Sequence, residues 1–475
     1  MVDIPERVEK TLKVLAEAAR RVEPGFNEKR KIDAVAAKVL TLVETRLEGV
    51  KPRPKPVFGG SYAKGTWLSG EADIDIFVKF SASIRKTDLE RVSTPIGLDA
   101  LADYRPYLRY SEHPYVEAIV DKVKVNVVGC FDVKPGEWIS SADRSPYHTE
   151  MILSRFNDTL RGETRLLKRF LKSNSIYGSE IRIQGFSGYV CEVLVLRFGN
   201  FIEVVREAQS LGKKAVIALS EDHYQYASLH RSPLIILDPV DPRRNLGAAI
   251  SRKNSSRFIF ASHCFLVRPS FRYFRPGRIS SRVQYQKAFQ NQLVMVKFEH
   301  SERSADVIWG QLRRSLVRLE RQMTIRGFNV LRSAVASNDK SKSALLFLLE
   351  RTELSPLLVK IGPEVNMIEG AKLFLKKNFE ESKMTWIGSD GRLYVTNLRR
   401  QKDVASLLKQ LLAAGNISSS GVAPGLAGDV AKTLKIVKGS KVLIESNRNI
   451  WLKEALVDVI GTDPVVCGPT SRTSR

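Results

Sequence analysis

The stretch GGSYAKGTWLSGEADIDIFVKF (59–80) opens on Gly59, Gly60 and Ser61 and closes on a hydrophobic strand carrying Asp73 and Asp75. Residues i and i+2 of a strand share a face, so the two carboxylates point one way while Ile74 and Ile76 point into a core. Side by side, two carboxylates raise each other's pKa, and a divalent cation between them relieves the repulsion. Magnesium prefers such oxygen ligands. The glycine-serine turn exposes backbone N–H groups at the start of a helix, which makes a phosphate cradle. A Gly-Gly-Ser turn by itself is usually only a turn, and a single Asp-x-Asp is usually solvated. Together, with carboxylates 12 and 14 residues after Ser61, they point to nucleoside triphosphate chemistry.

This pairing resembles the signature of polymerase-β-type nucleotidyltransferases. The resemblance implies transfer of a nucleoside monophosphate to a hydroxyl, with release of pyrophosphate and two metal ions held by three carboxylates. The third carboxylate is expected on a neighbouring strand, which here is DKVKVNVVGCFDV (121–133). Lys122, Lys124, Asn126 and Val128 form one face of it; Val123, Val125 and Val127 form the other. The expected position holds Asn126. Asp121 falls on the opposite face, and Asp132 lies about 20 Å along an extended strand. Neither is an easy substitute.

The elements that must position these residues follow from hydrophobic spacing. Residues 5–48 read as two helices broken near EPGFN, and KPRPKP (51–56) as a stiff linker. YVEAIVDKVKVNVVGCFDV reads as a hairpin turning near Asp121. ETRLLKRFLKSN and GYVCEVLVLRFGNFIEVVREAQ have helical spacing, PLIILDPVDPRRNLGAAIS is a buried strand and turn, and another helix is expected near Ser255. Beyond residue 270, LVMVKFEH, GFNVLRSAVASN and SALLFLLERTE read as strands. DVIWGQLRRSLVRLERQM and EGAKLFLKKNF read as helices. AAGNISSSGVAPGLAG reads as a loop before a last helical section. The expected domains are 1–150, 151–270, 271–390 and 391–475.

The chain has 475 residues, 43% hydrophobic and 27% charged, which suits a soluble globular protein of several domains. No uninterrupted apolar run reaches the about 18 residues of a membrane span, and the charged N-terminal helix lacks the apolar core of a signal peptide. Cys130, Cys191, Cys264 and Cys467 form no C-x-x-C pair and read as reduced residues of a cytosolic protein. The formal net charge of +25 calls for a polyanionic partner, nucleic acid foremost.

Over nearly its whole length the chain resembles the archaeal class I CCA-adding enzymes, a tRNA nucleotidyltransferase family. The motif at 59–77 carries the resemblance, with DRSPYHTEMI, RLLKRFLKSNSIYGSEIRIQGFSGYVCEVL, DPVDPRRNLGAAIS and LLFLLERTELSPLLVKIGPEV followed by AKLFLKKN. It implies an α+β multidomain fold: a polymerase-β-like catalytic head, a helical neck that reads the nucleotide, and an α/β body and tail that grip tRNA. The implied reaction is template-independent addition of C, C and A to the tRNA 3′ end from CTP and ATP, with Mg2+, in the cytoplasm and with no membrane; a homodimer is left open. Asp73, Asp75 and the residue at 126 would hold metal. Gly60, Ser61, Lys64, His148, Lys168 and Tyr177 would form the nucleotide pocket, and Arg244 would face the incoming base through its forked donors. Read alone, Tyr177 and His148 would be core residues, Lys168 a surface lysine, and Arg244 half of a solvated pair with Arg243.

The departure is Asn126, where the family has aspartate in a V-x-V-D-V-V strand. Asparagine keeps an oxygen ligand and loses the charge. The chain therefore reads as an ordinary enzyme weakened at one ligand. The alternatives are a form altered to trap its substrate, a tRNA-binding protein without chemistry, and an oligoadenylate-synthetase-like enzyme making 2′–5′ products.

For gripping RNA, Arg268, Arg272, Arg275, Arg278 and Arg282 interleave with Phe271, Tyr273 and Phe274. Arg314, Arg318 and Arg321, beside Arg313, share one helical face. Guanidinium forks suit phosphates, and double-stranded RNA is read mainly by backbone and shape. Glu320 would pair with part of that face if it were merely solvated.

Overall fold

Alternation of Asp73 and Asp75 with Ile74 and Ile76 makes a strand with one half-buried polar face and one face fully removed from solvent. The computed structural model describes residues 4–110, 114–211, 215–275, 286–463 and 465–466. Arg278, Arg282 and Cys467 lie outside the described residues. The chain divides into two units, Met1–Arg278 with Asp463–Arg475, and Ile279–Thr462. Among the described residues no helix is long and apolar enough to cross a membrane.

The first unit opens with α1 (Ile4–Val22) and α2 (Phe26–Leu47), broken at Pro24-Gly25 as the sequence indicates. There follow β1 (Lys55–Gly59), α3 (Gly60–Lys64), β2 (Asp73–Ser81), α4 (Lys86–Ala100), β3 (Tyr107–Tyr110), β4 (Pro114–Val120) and β5 (Val123–Asp132). The sheet order is β1-β2-β5-β4-β3. Only β2 and β5 run parallel; the other pairs are antiparallel. The β4–β5 hairpin turns at Asp121 and Lys122, with φ of 50° and 71°, the left-handed pair that matches strand twist in a two-residue turn. One sheet face buries Ile74, Ile76, Val116, Ala118, Val125 and Val127 beneath α2 and α4. That leaves the opposite face for the carboxylates.

The unit continues with α5 (Arg144–Arg155), α6 (Asp158–Ser173), α7 (Gly188–Phe198), α8 (Phe201–Glu207), β6 (Ala215–Ile217), β7 (Leu234–Ile236) and α9 (Arg252–Val267). Side-chain caps start these helices where the sequence offers them. Asn157, Ser187, Asn200 and Ser251 accept from the N–H groups of Leu160, Val190, Glu203 and Asn254. The Gly199-Asn200 pair breaks the long helical run of 188–209 into α7 and α8. Phe170 centres an aromatic cluster with Phe201, Phe258, Phe265 and Phe274. Cys130 and Cys191 are buried free thiols. Cys264 is disulfide-bonded, which corrects the reading of every cysteine as reduced.

The second unit holds α10 (Gln286–Phe289), β8 (Leu293–Glu299), α11 (Ala305–Ile325), β9 (Val330–Ser337), β10 (Lys342–Leu349), β11 (Leu357–Glu364), α12 (Ile368–Asn378), β12 (Ser382–Ile387) and β13 (Arg392–Leu398). It ends with α13 (Val404–Leu412), α14 (Ile417–Ser420), α15 (Pro424–Thr433), β14 (Lys435–Lys438), α16 (Ser440–Arg448) and α17 (Ile450–Ile460). An antiparallel sheet of order β14-β8-β10-β9 is covered on one face by α11, α13 and α15 and on the other by α16 and α17. A separate sheet β11-β13-β12 packs with α12. The Gly- and Ser-rich segment 413–428, expected as a loop, folds instead into α14 and the start of α15. Pro424 starts α15, and Ile417, Leu426 and Val430 are buried. Apolar residues at helical spacing outweigh glycine's low propensity there.

Candidate active site

Register places one row of residues straight across the first sheet: Gly59 of β1, Asp75 of β2, Asn126 of β5, Glu117 of β4 and Tyr107 of β3. Asn126 is thus the direct neighbour of Asp75, where the third carboxylate was sought. Its Nδ2 donates to Asp75 Oδ1 at 2.8 Å. Its Oδ1 is buried without a hydrogen-bond partner. One row along, Asp73 faces Lys124, whose ammonium lies 2.6 Å from Asp73 Oδ2. Asp121 pairs with Lys38 and Asp132 with Lys79, so both excluded aspartates are occupied elsewhere.

The turn before α3 is built around Asp75. Gly60 has φ of 66°, and a Cβ there would stand 1.8 Å from Asp75 Oδ2. Glycine is therefore required twice over, by backbone conformation and by the carboxylate pressed against it. Ser61 follows in the same short helix, beside the row.

Burial raises the Asp75 carboxyl above its ordinary value; the Asn126 amide pulls it down and the Asp73 charge pushes it up. A carboxylate so placed gains from a nearby cation. Asp73, Asp75 and the unpartnered Asn126 Oδ1 form an all-oxygen donor set, and they fit a magnesium ion that keeps waters and substrate oxygens as its other ligands. Among the described residues no three acidic, histidine or cysteine side chains converge as a closed metal site.

Lys64 and Lys168 meet at a carboxylate that sequence reading missed. Lys64 Nζ lies 2.6 Å from Glu192 Oε2, and Lys168 Nζ 3.2 Å from Glu192 Oε1. Thr66 completes the group: its hydroxyl donates to Glu192 at 2.6 Å and accepts from Lys168 at 2.9 Å. Lys168 is 2% exposed and Glu192 1%, so the surface reading of Lys168 is replaced by an interior one. Burial pushes the Lys168 ammonium down; the two ammonium groups hold the Glu192 carboxyl low although burial opposes it. The Tyr177 hydroxyl and Lys168 Nζ both close on Gly188 at the start of α7, where an added Cβ would stand 2.9 and 3.4 Å from them.

His148, Tyr189 and Arg244 converge on Asp238, also missed. His148 Nε2 lies 2.9 Å from Asp238 Oδ2, Tyr189 donates to Oδ1 at 3.2 Å, and Arg244 Nη1 donates to Oδ2 at 3.4 Å. The imidazole stacks on Tyr189 with centroids 4.0 Å apart. Burial lowers the His148 pKa despite the carboxylate, which keeps the ring neutral near pH 7. Asp238 is fully buried and Arg244 is 44% exposed, so one face of the guanidinium is anchored and the rest faces outward.

Of the arginines expected on RNA, Arg272 and Arg275 are exposed in the first unit, stacked over Tyr273 and Phe271 respectively. In the second unit Arg314, Arg318 and Arg321 are exposed on α11, whose other face buries Trp309, Leu312, Leu319 and Met323. Glu320 accepts from the Ser333 hydroxyl on β9.

Three family descriptions match successive parts of the chain: a nucleotidyltransferase domain at 45–155, the second domain of tRNA nucleotidyltransferase at 162–275, and the C-terminal domain of CCA-adding enzyme at 290–435. The CCA-adding enzyme of Sulfurisphaera tokodaii is 34% identical over 402 residues, 84% of this chain and 91% of that one. That of Pyrobaculum neutrophilum is 35% identical over 412 residues, 85% and 94% of the two chains. A crystal structure of the Cid1 poly(U) polymerase aligns with 56% of this chain and 98% of its own at 13% identity, with a TM-score of 0.44.

Proposed function

The chain belongs to the archaeal CCA-adding enzymes, and on that footing we propose which of its residues carry the template-independent addition of C, C and A to the 3′ end of tRNA. The observation that carries the assignment is the registered row Asp75–Asn126 beside the Gly60 turn.

Asp73, Asp75 and Asn126 hold Mg2+. When bound, the cation lowers the pKa of the attacking tRNA 3′ hydroxyl and offsets charge on the triphosphate. Gly60, Ser61 and Lys64 receive the triphosphate. In the structure the Lys64 ammonium is paired with Glu192. Neutral His148 donates or accepts a hydrogen bond without adding charge. Lys168 and Tyr177 shape the pocket wall at Gly188, Lys168 from within the protein. Arg244, anchored by Asp238, presents its remaining donors to the incoming base. In this reading 1–150 is the head, 151–270 the neck, 271–390 the body and 391–475 the tail. A cytoplasmic enzyme acting on tRNA with CTP and ATP fits all of this. A homodimer belongs to the same proposal, supported by the exposed Leu357, Val359 and Ile361 of β11; sedimentation velocity tests it.

A second reading, tRNA binding without chemistry, is favoured by one observation: the Asn126 amide occupies the Asp75 oxygen that a metal would use. The two readings separate by incorporation of labelled CTP and ATP into tRNA lacking its 3′ end.

Arg244→Lys keeps the charge and loses the fork. Discrimination of CTP and ATP against UTP and GTP should weaken, with tRNA affinity little changed. Unchanged selectivity in competition assays would remove Arg244 from base reading.

For RNA contact, Arg272, Arg275, Arg314, Arg318 and Arg321 are the proposed phosphate partners. With roughly six phosphates neutralised, a log–log plot of tRNA affinity against salt should have a slope of about −4 to −5. A slope near zero in filter binding contradicts this.

A further inference from the structure

Alternation along β4 buries Val116, Ala118 and Val120 in the core beneath α2 and α4. Tyr115, Glu117 and Ile119 therefore stand on the face that carries Asp73 and Asp75. Glu117 pairs directly with Asn126, which pairs directly with Asp75. The row thus holds a carboxylate on either side of a neutral amide, at strand spacings of about 4.8 Å. Glu117 is 6% exposed. Its carboxylate accepts from the Tyr107 hydroxyl, and the Arg109 guanidinium stands 3.5 Å away.

We propose that Glu117 supplies the third negative charge of this enzyme's metal pocket, from one strand beyond the position that Asn126 leaves neutral. The inference rests on the reading of Asp73 and Asp75 as cation ligands. One feature favours it. An aspartate at 126 would set three anions side by side on adjacent strands, and like charges directly opposite are destabilising; asparagine at 126 and glutamate at 117 restore the count without that contact. Glutamate is one methylene longer than aspartate; its carboxylate is held by Tyr107 and Arg109 in the structure, so serving the cation requires rotation away from both.

The test is Mn2+ affinity of the nucleotide-free protein, read by the electron paramagnetic resonance of the free ion. Asp75→Asn should abolish tight binding; if it does not, the metal reading itself fails, whatever Glu117 does. Glu117→Gln should weaken binding about 10- to 100-fold, as for loss of a metal's supporting carboxylate. In an Asn126→Asp background the same substitution should change affinity by less than about threefold, because the aspartate then carries the charge; such non-additivity marks direct coupling. Unchanged Mn2+ affinity in Glu117→Gln overturns the proposal. So does an equal loss in both backgrounds, which would mean that Glu117 only holds β3 against β4 through Tyr107.

Discussion

Asn126→Asp should raise the single-turnover rate of CMP addition by about 10²–10⁴, with tRNA affinity nearly unchanged. The native amide does two things against catalysis. It offers the cation a neutral oxygen where a carboxylate would offer a charge, and its Nδ2 takes one lone pair of Asp75. A carboxylate at 126 removes the donor and adds the charge. Metal catalysis contributes several kcal/mol, and each 1.36 kcal/mol is tenfold in rate, so recovering part of it gives the stated range. If Glu117 already supplies some of the charge, the gain falls toward about 10². The assay is CMP transfer to a tRNA ending one step short, at saturating magnesium. Rates equal within about threefold would place Asn126 away from the metal.

Glu192→Gln should destabilise the first unit by about 3–5 kcal/mol, the cost of leaving buried charge without its partner. Lys64, Lys168 and Thr66 all depend on this one carboxylate. Burial already lowers the Lys168 pKa, so Lys168 can shed its proton and limit the loss toward the lower figure. That gives the effect a pH signature. In the variant the unfolded chain binds a proton that the folded chain releases, so stability rises with pH up to the ordinary lysine pKa. The deficit against the native protein should shrink from neutral pH toward pH 10 in thermal melts. The double variant Glu192→Gln with Lys168→Met should recover part of the deficit at pH 7, since one buried ammonium is then gone. A Glu192→Gln protein that melts with the native one would mean that the lysines find other partners.

What the sequence made legible was set by local pattern. Asp73, Asp75 and the Gly60 turn lie within one short stretch, and period-2 alternation was enough to put both carboxylates on one face. Asn126 was reachable because the β4–β5 hairpin is announced by its own alternation. Glu117 shows the same alternation, in YVEAIV, but its place opposite Asn126 depends on the register of two strand pairings. Glu192 and Asp238 carry no local signal of which residues they pair with. Glu192 sits in an apolar helix, GYVCEVLVLRF, and a lone charge there is the hint that it must be paired inside. Its partners lie 128 and 24 residues away, which no periodicity reports. Lys168 was misread for the same reason: helical spacing shows which face is basic, not that a buried glutamate waits beneath it. The 413–428 segment failed in the other direction, because its Gly and Ser content hid the spacing of Ile417 and Leu426 with Val430 just beyond them.

The most direct measurement is incorporation of labelled CTP and ATP by the unaltered chain into tRNA ending at its discriminator base, with product sequence and linkage read on a gel. The expected result is slow but complete addition of C, C and A through 3′–5′ linkages, dependent on magnesium. Tight tRNA binding with no incorporation, while the Asn126→Asp protein completes the CCA end, would show that the native chain only binds tRNA and would contradict catalysis by this row of residues as it stands.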